Sequence, residues 1–274
     1  MFFAIKNIGI KDWMVNQGRG EDAGRLEAGE ALRTAGAVAA NAGSALGALR
    51  EMASMMKGRF ELAAAKWSLH LTAEAPTAQI AEQLMALARE RCSRSAREIE
   101  PTVPTALRAR PYSIRGFVGV EGERWIPVHG MLAPSRAQAA LADLEALFSR
   151  HRAAMQAVGI RQSYLMSAAG PYLTIEPMFF WPDELDPIHL KHLSARNRER
   201  FAGRPRNDAA RALVGTLRAE ARECFERHDA AHAQAGRFYR HAERLDAGSA
   251  ALLTRLRDAL DPDRRMNPGV LGLG

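Results

Sequence analysis

The chain has 274 residues, of which 47% are apolar and 25% charged. That is enough for one large or two small domains with a core that needs no disulfide staples. Lys and Arg together number 38 against 31 Asp and Glu, a net charge of +7, and only five of the basic residues are lysines. The arginines are spread along the chain without interleaved stacking aromatics, so solvated helix faces explain them better than a nucleic-acid surface. Two separated cysteines, Cys92 and Cys224, fit a reducing compartment and a packing role. They argue against a disulfide framework and against a cysteine-based zinc site.

In chain order, residues 1–60 read as a helical or irregular lead-in. The start, MFFAIKNIGIKDW, has neither a continuous apolar run nor a small-residue cleavage site, so no signal peptide is expected. The apolar stretch 34–49 is too short to span a bilayer and is bracketed by Arg33 and Arg50. A cytoplasmic protein with no transmembrane segment is expected. Residues 25–57 carry helix formers, weakened at Gly43 and Gly47. KWSLHLTAE (66–74) alternates like a half-buried strand. Thr77 can cap a helix through about Cys92, marked by Ile80, Leu84, Leu87 and Ala88. Pro101, Pro104 and Pro111 punctuate a connection, and 115–132 reads as two strand runs around Glu121-Gly122. Ser135 can cap a helix from 136 to about 158, ended by Gly159. Residues 160–181 suit two strands joined near Ala169-Gly170-Pro171, and 182–197 a loop or short helix. A helix over 208–228, a strand over 231–239 and a last helix over 248–260 complete the pattern. The order suits an α+β fold, an antiparallel sheet with helices on one face. No glycine fingerprint, P-loop, GxSxG, HExxH or CxxC motif is present.

Three stretches stand out chemically. In ERWIPVHGML, Trp125, Pro127 and His129 share one strand face, and the proline demands an edge or a bend. In HDAAHAQAGRFYRH (228–241), His228, His232, Arg237, Tyr239, Arg240 and His241 crowd around Gly236. Arg with Tyr can bind a phenolate or carboxylate and His can act as a base; a basic surface turn after a helix is the plain alternative. The spacing His228-x3-His232 also fits metal ligation on one helical turn, but a third ligand is missing. In YLTIEPMFFW, Glu176 sits among apolar residues, where a carboxylate needs a partner, a cavity or the wet face of the sheet.

WIPVHGMLAPSRA, EPMFFWPDELDPIH, AHAQAGRFY and LRDALDPDRRMNPGVLGLG occur in that order. Together they resemble the C-terminal half of FAD-linked oxidases of the vanillyl-alcohol oxidase and para-cresol methylhydroxylase type, a group similar also to D-lactate dehydrogenases and glycolate oxidase. The DP-then-NPG ending is the most specific mark. The resemblance covers about residues 60–274. It implies a ferredoxin-like α+β cap over 61–230 that shapes a substrate pocket above a flavin. It also implies a C-terminal segment, 231–274, that returns to an FAD-binding domain, which this chain lacks. The implied activity is oxidation of a para-substituted phenol or aromatic alcohol, or of a 2-hydroxy acid, by hydride transfer to FAD. Arg237 or Arg240 with Tyr239 would hold the substrate oxyanion, and His129 or His232 would act as base or substrate ligand. Trp125, Glu176 and Phe179 would line the pocket, and Asn267 and Arg237 would face the cofactor. HGMLAPS stands where the glycolate-oxidase branch has its histidine-rich metal motif, so no metal is expected. The expected partners are a small-molecule substrate, an FAD-binding domain or subunit, and a second copy in a homodimer, with no nucleic acid. The competing expectation is a non-catalytic fragment or interaction subunit of a split flavoenzyme; a nucleic-acid binder rests on charge alone.

Overall fold

Stretches of period 3.6 and period 2 alternate along the chain, and the backbone follows them. The structure, a computed structural model, describes residues 6–8, isolated positions between 36 and 73, residues 75–99 apart from 95, and residues 118–272 apart from 120, 170 and 235. The described residues form an α+β protein with a small open antiparallel sheet. Among them, no helix is long and apolar enough to cross a membrane. The strand expected at 66–74 lies mostly outside the described residues, as do most of 25–57 and the connection at 101–111.

Helix α1 (Ala78–Cys92) begins where Thr77 Oγ1 accepts the Ile80 N–H at 3.3 Å, the expected cap. Its buried row is Ala81 and Met85; Ile80, Leu84 and Leu87 lie on the exposed side. Two short strands, β1 (Lys6–Ile8) and β2 (Ala96–Glu98), pair antiparallel. The main sheet is built on the hairpin β5 (Arg161–Ala169) and β6 (Tyr172–Trp181). Against β6 run β3 (Arg124–Pro127) and β4 (Gly130–Leu132) in one register, from Arg124 opposite Trp181 to Leu132 opposite Leu173. They are one strand direction interrupted at Val128-His129, and β6 carries Pro177, with no N–H to donate, in the same stretch.

Helix α2 (Pro134–Ala157) starts at Pro134 rather than after Ser135, since proline's fixed φ and missing N–H suit the first helical position. It ends as expected at Gly159, whose φ of +74° only glycine adopts without strain. The Gly159 and Ile160 N–H groups bond back to the Gln156 and Met155 carbonyls, at 3.2 and 2.8 Å, in a Schellman closure. Residues 182–197 resolve into α3 (Pro187–Lys191) and the start of α4 (Ala195–Phe201). Helices α5 (Asp208–Arg227) and α6 (Ala247–Leu260) follow, the latter capped by Asp246. The strand expected over 231–239 does not form. Ala231 alone bridges to Met131, and bends follow, because side chains rather than backbone complete the neighbouring strand edge.

The chain divides into two units. The first comprises residues 1–127, 151–166 and 177–214. At its heart lies Asp183, a fully buried carboxylate the sequence did not single out. Arg211 reaches it with Nε at 2.6 Å and Nη2 at 3.1 Å, Trp181 Nε1 donates at 2.8 Å, and the Glu184 and Asn207 N–H groups donate at 2.9 and 3.0 Å. Burial opposes ionisation, but the Arg211, Asn207 and Trp181 hydrogen bonds outweigh it and hold this carboxyl at about 2. The second unit comprises residues 128–150, 167–176 and 215–274. Its core takes Ala137, Ala140, Leu144 and Leu147 from α2, Leu217, Ala221 and Phe225 from α5, and Val128, Leu132 and Ile175 from the sheet.

Replacing Asp183 by Asn removes the charge that Arg211 Nε and Nη2 bond and leaves Arg211 with Glu184, at 3.0 Å, as its carboxylate. Urea unfolding of the full chain should show a loss of about 1–3 kcal/mol at neutral pH. The lowered carboxyl also fixes the acid response: its contribution is complete above the unfolded value of 3.8 and is lost as pH falls toward about 2. Between those limits the unfolding midpoint of the wild type should drop more steeply than that of Asp183→Asn.

Candidate functional site

The second unit brings together residues more than a hundred positions apart. His129 lies in the gap between β3 and β4, and the β4 register carried back by one residue sets it across from Glu176. The backbone groups of His129 turn away from β6, toward the loop after α5. Its N–H donates to Tyr239 Oη at 3.1 Å and its carbonyl accepts from His232 Nδ1 at 2.8 Å. Two residues on, Met131 and Ala231 exchange backbone hydrogen bonds of 2.8 and 2.9 Å. Gly130 sits between them because of close packing: a Cβ there would lie 2.4 Å from the buried Phe225 ring.

The hydrogen bonds fix both tautomers. His129 Nε2 accepts from the Ala233 and Gln234 N–H groups, at 2.9 and 3.3 Å, so the ring proton resides on Nδ1. Nδ1–H therefore donates to Tyr239 Oη at 3.0 Å. The phenol oxygen thus receives two hydrogens from one residue, and neither bond uses its own hydrogen. His232 donates through Nδ1 to a carbonyl, which leaves Nε2 as a bare lone pair; this atom is buried and meets no partner among the described residues. Its ring stacks on Tyr239 with centroids 4.2 Å apart. Burial pushes both imidazoles below the ordinary histidine range, helped for His129 by the charge of His232. Burial pushes the Tyr239 phenol up, while the His129 hydrogen bond and the charge of Arg218 act against the rise. Burial also raises the Glu176 carboxyl.

The arginine at the site is not one the sequence singled out. Arg218, on α5, lays its guanidinium over the Phe238 ring at 4.0 Å, and its buried Nε meets no acceptor among the described residues. Its neighbour one turn on, Arg222, donates to the Phe238 carbonyl at 2.7 Å and lies 3.6 Å from Glu226. Arg240 is committed to Glu223 at 3.2 Å and to Glu226 at 3.4 Å. Arg237 is exposed and has no ion-pair partner among the described residues. Trp125 and Phe179 belong to the first unit, Trp125 stacked on Phe180 at 6.0 Å and Phe179 fully buried. The only sequence signal for Arg218 was its i,i+4 spacing with Arg222 beside the apolar row of a helix.

His228 and His232 do not share a helical turn. The helix stops at Arg227, Asp229 adopts φ +56°, and His228 Nε2 turns to Asp143 at 2.8 Å. The DPDRRMNPG segment is held by Asp261, whose carboxylate accepts the Arg265 and Met266 N–H groups at 2.8 and 2.9 Å. Arg257 closes the turn on the Met266 carbonyl at 3.0 Å. Positive φ at Arg264, Asn267 and Gly269 then swings the chain back, and Leu271 N–H bonds the Gly236 carbonyl at 3.0 Å. The tail therefore clamps the loop that carries His232 and Tyr239. No protein-family model, curated protein or solved structure matches this chain.

Tyr239→Phe removes the acceptor for two His129 donors and should cost about 1–3 kcal/mol in urea unfolding. Because the folded imidazoles resist protonation that the unfolded ones accept, stability should fall as pH drops below the unfolded value of 6.5. His129→Gln or His232→Asn should flatten that slope, and NMR titration should find both rings still neutral where an exposed histidine has begun to charge.

Proposed function

We propose that this chain is the substrate-binding portion of an FAD-dependent oxidoreductase, a ferredoxin-like cap that closes over a flavin held by another domain or subunit. Its substrate is a small alcohol or phenol bearing an anionic oxygen, either a para-substituted phenol or aromatic alcohol, or a 2-hydroxy acid. One observation carries the reading: two buried polar atoms of opposite kind, the Arg218 Nε–H donor and the His232 Nε2 acceptor, flank the Phe238-Tyr239 pair and meet no partner among the described residues. Buried polar atoms are rarely left unpaired, and a ligand with one anionic oxygen and one hydroxyl would pair both.

In this reading Arg218 anchors the anion, its guanidinium already oriented by Phe238, and charge-assisted hydrogen bonds in a dry site are strong. His232 takes the hydroxyl proton on Nε2; a lowered imidazole is neutral, and so ready to accept it, at pH 7. Tyr239 adds a phenol hydrogen whose direction is set by the two donors of His129. The flavin, when bound, supplies the hydride acceptor. The groups that would face it are Arg237 and Asn267, both exposed and the latter in a left-handed turn. An exposed cation and a turn amide suit contact with a cofactor that another domain presents.

Purifying the tagged full chain from its native cells and recording the visible spectrum tests this. A flavin band that bleaches with 2-hydroxy acids or 4-hydroxybenzyl alcohols supports the reading. Arg218→Met should then lower kcat/KM by roughly 10–100-fold, the loss of one charge-assisted anchor. His232→Asn should remove the acid limb of the kcat profile. A colourless chain that also fails to support bleaching when mixed with an FAD-loaded domain of this oxidase type overturns it, in favour of an interaction subunit.

A further inference from the structure

Away from the His129 cluster, the second unit gathers three donors of different chemical kinds. Cys224 lies in the last turn of α5, His228 follows four residues on, and Asp143 projects from α2. The sulfur, an imidazole nitrogen and a carboxylate oxygen all lie within 4.8 Å of one another. Cys224 is buried, His228 half-buried and Asp143 exposed, so the group runs from core to solvent. His228 and Asp143 are already oriented toward each other at 2.8 Å. The Cys224 sulfur makes only a 4.0 Å approach to the Ala140 carbonyl, at the limit for a sulfur hydrogen bond. Burial pushes the Cys224 thiol up, with Asp143 adding to the rise and Arg227 and Arg150 opposing it.

We infer that Cys224, His228 and Asp143 form a binding site for a thiophilic divalent cation of the zinc class. A thiolate, an imidazole and a carboxylate are the three ligand types zinc takes, whereas magnesium and calcium select oxygen alone. Three protein ligands, from two helices and the turn that follows one of them, leave a fourth position for water or a small ligand. Loading forms a metal–sulfur bond and releases the thiol proton to solvent. The Nε2 proton that bonds Asp143 must leave as well: the neutral imidazole shifts to its Nδ1–H tautomer, and the freed Nε2 lone pair goes to the metal in place of the hydrogen bond to Asp143. A sequence with two distant cysteines hides such a site, because only one sulfur is used.

Titrating the purified full chain with Co²⁺ tests it. A one-to-one complex with a sulfur-to-cobalt charge-transfer band and tetrahedral visible bands is expected, displaced by Zn²⁺. Cys224→Ala should abolish the band, and Cys92→Ala should leave it intact. Because Cys224 is buried and its replacement can disturb folding, the exposed Asp143→Asn serves as the second variant. It should weaken Co²⁺ by more than roughly tenfold, the least that even outer-shell losses cost metal sites. A Co²⁺ spectrum without a sulfur band, a band that follows Cys92, or an Asp143→Asn affinity equal to wild type overturns the inference.

Discussion

The second unit depends on the pair of hydrogen bonds that His129 makes to one phenol oxygen. A strand edge presents an N–H and a carbonyl that water would otherwise satisfy, and here side chains do so. Tyr239 Oη takes the His129 N–H and Nδ1–H together, and His232 caps the carbonyl. Because the Ala233 and Gln234 amides occupy the opposite ring nitrogen, His129 cannot take a second proton without losing them. One neutral tautomer thus ties His232, Ala233, Gln234 and Tyr239 to the strand.

Helix α5 and the tail supply the remaining constraints. Phe225 fills the space over Gly130 that any larger residue would need, which sets how closely helix and strand approach. From the same helix Arg222 holds the Phe238 carbonyl and Arg218 lies across its ring. The Asp261 turn returns the chain so that Leu271 bonds Gly236. The loop is therefore held at both ends and in its middle. Beside this loop Arg218 Nε and His232 Nε2 are buried and meet no partner among the described residues.

Charge is handled in opposite ways in the two units. In the first, Asp183 is fully buried and saturated by donors, so it has no capacity for a ligand and serves stability. In the second, Arg240 is consumed by Glu223 and Glu226, whereas Arg218 stays unpaired among the described residues. The two arginines differ in whether a carboxylate stands beside them, and position along the chain does not reveal it.

Local chemistry fixed a good deal in advance. Thr77 and Gly159 end their helices as their side chains and φ preferences dictate, and the 161–181 hairpin follows from alternation around a turn. Residue type alone pointed to His129, His232 and Tyr239 as chemistry-bearing, and the fold brings them within hydrogen-bond or stacking distance. Other outcomes needed the three-dimensional structure. The 231–239 segment has a strand's composition but lies where side chains, not backbone, complete the edge. Arg240 is ion-paired whereas the buried Arg218 Nε meets no acceptor among the described residues, and Asp183 and the Cys224–His228–Asp143 group each draw in residues from a distant element. Caps, turns and periodicity act within a few residues, so the sequence determines them. Which buried polar atom finds a partner depends on packing between elements far apart in the chain, and only the tertiary structure decides that.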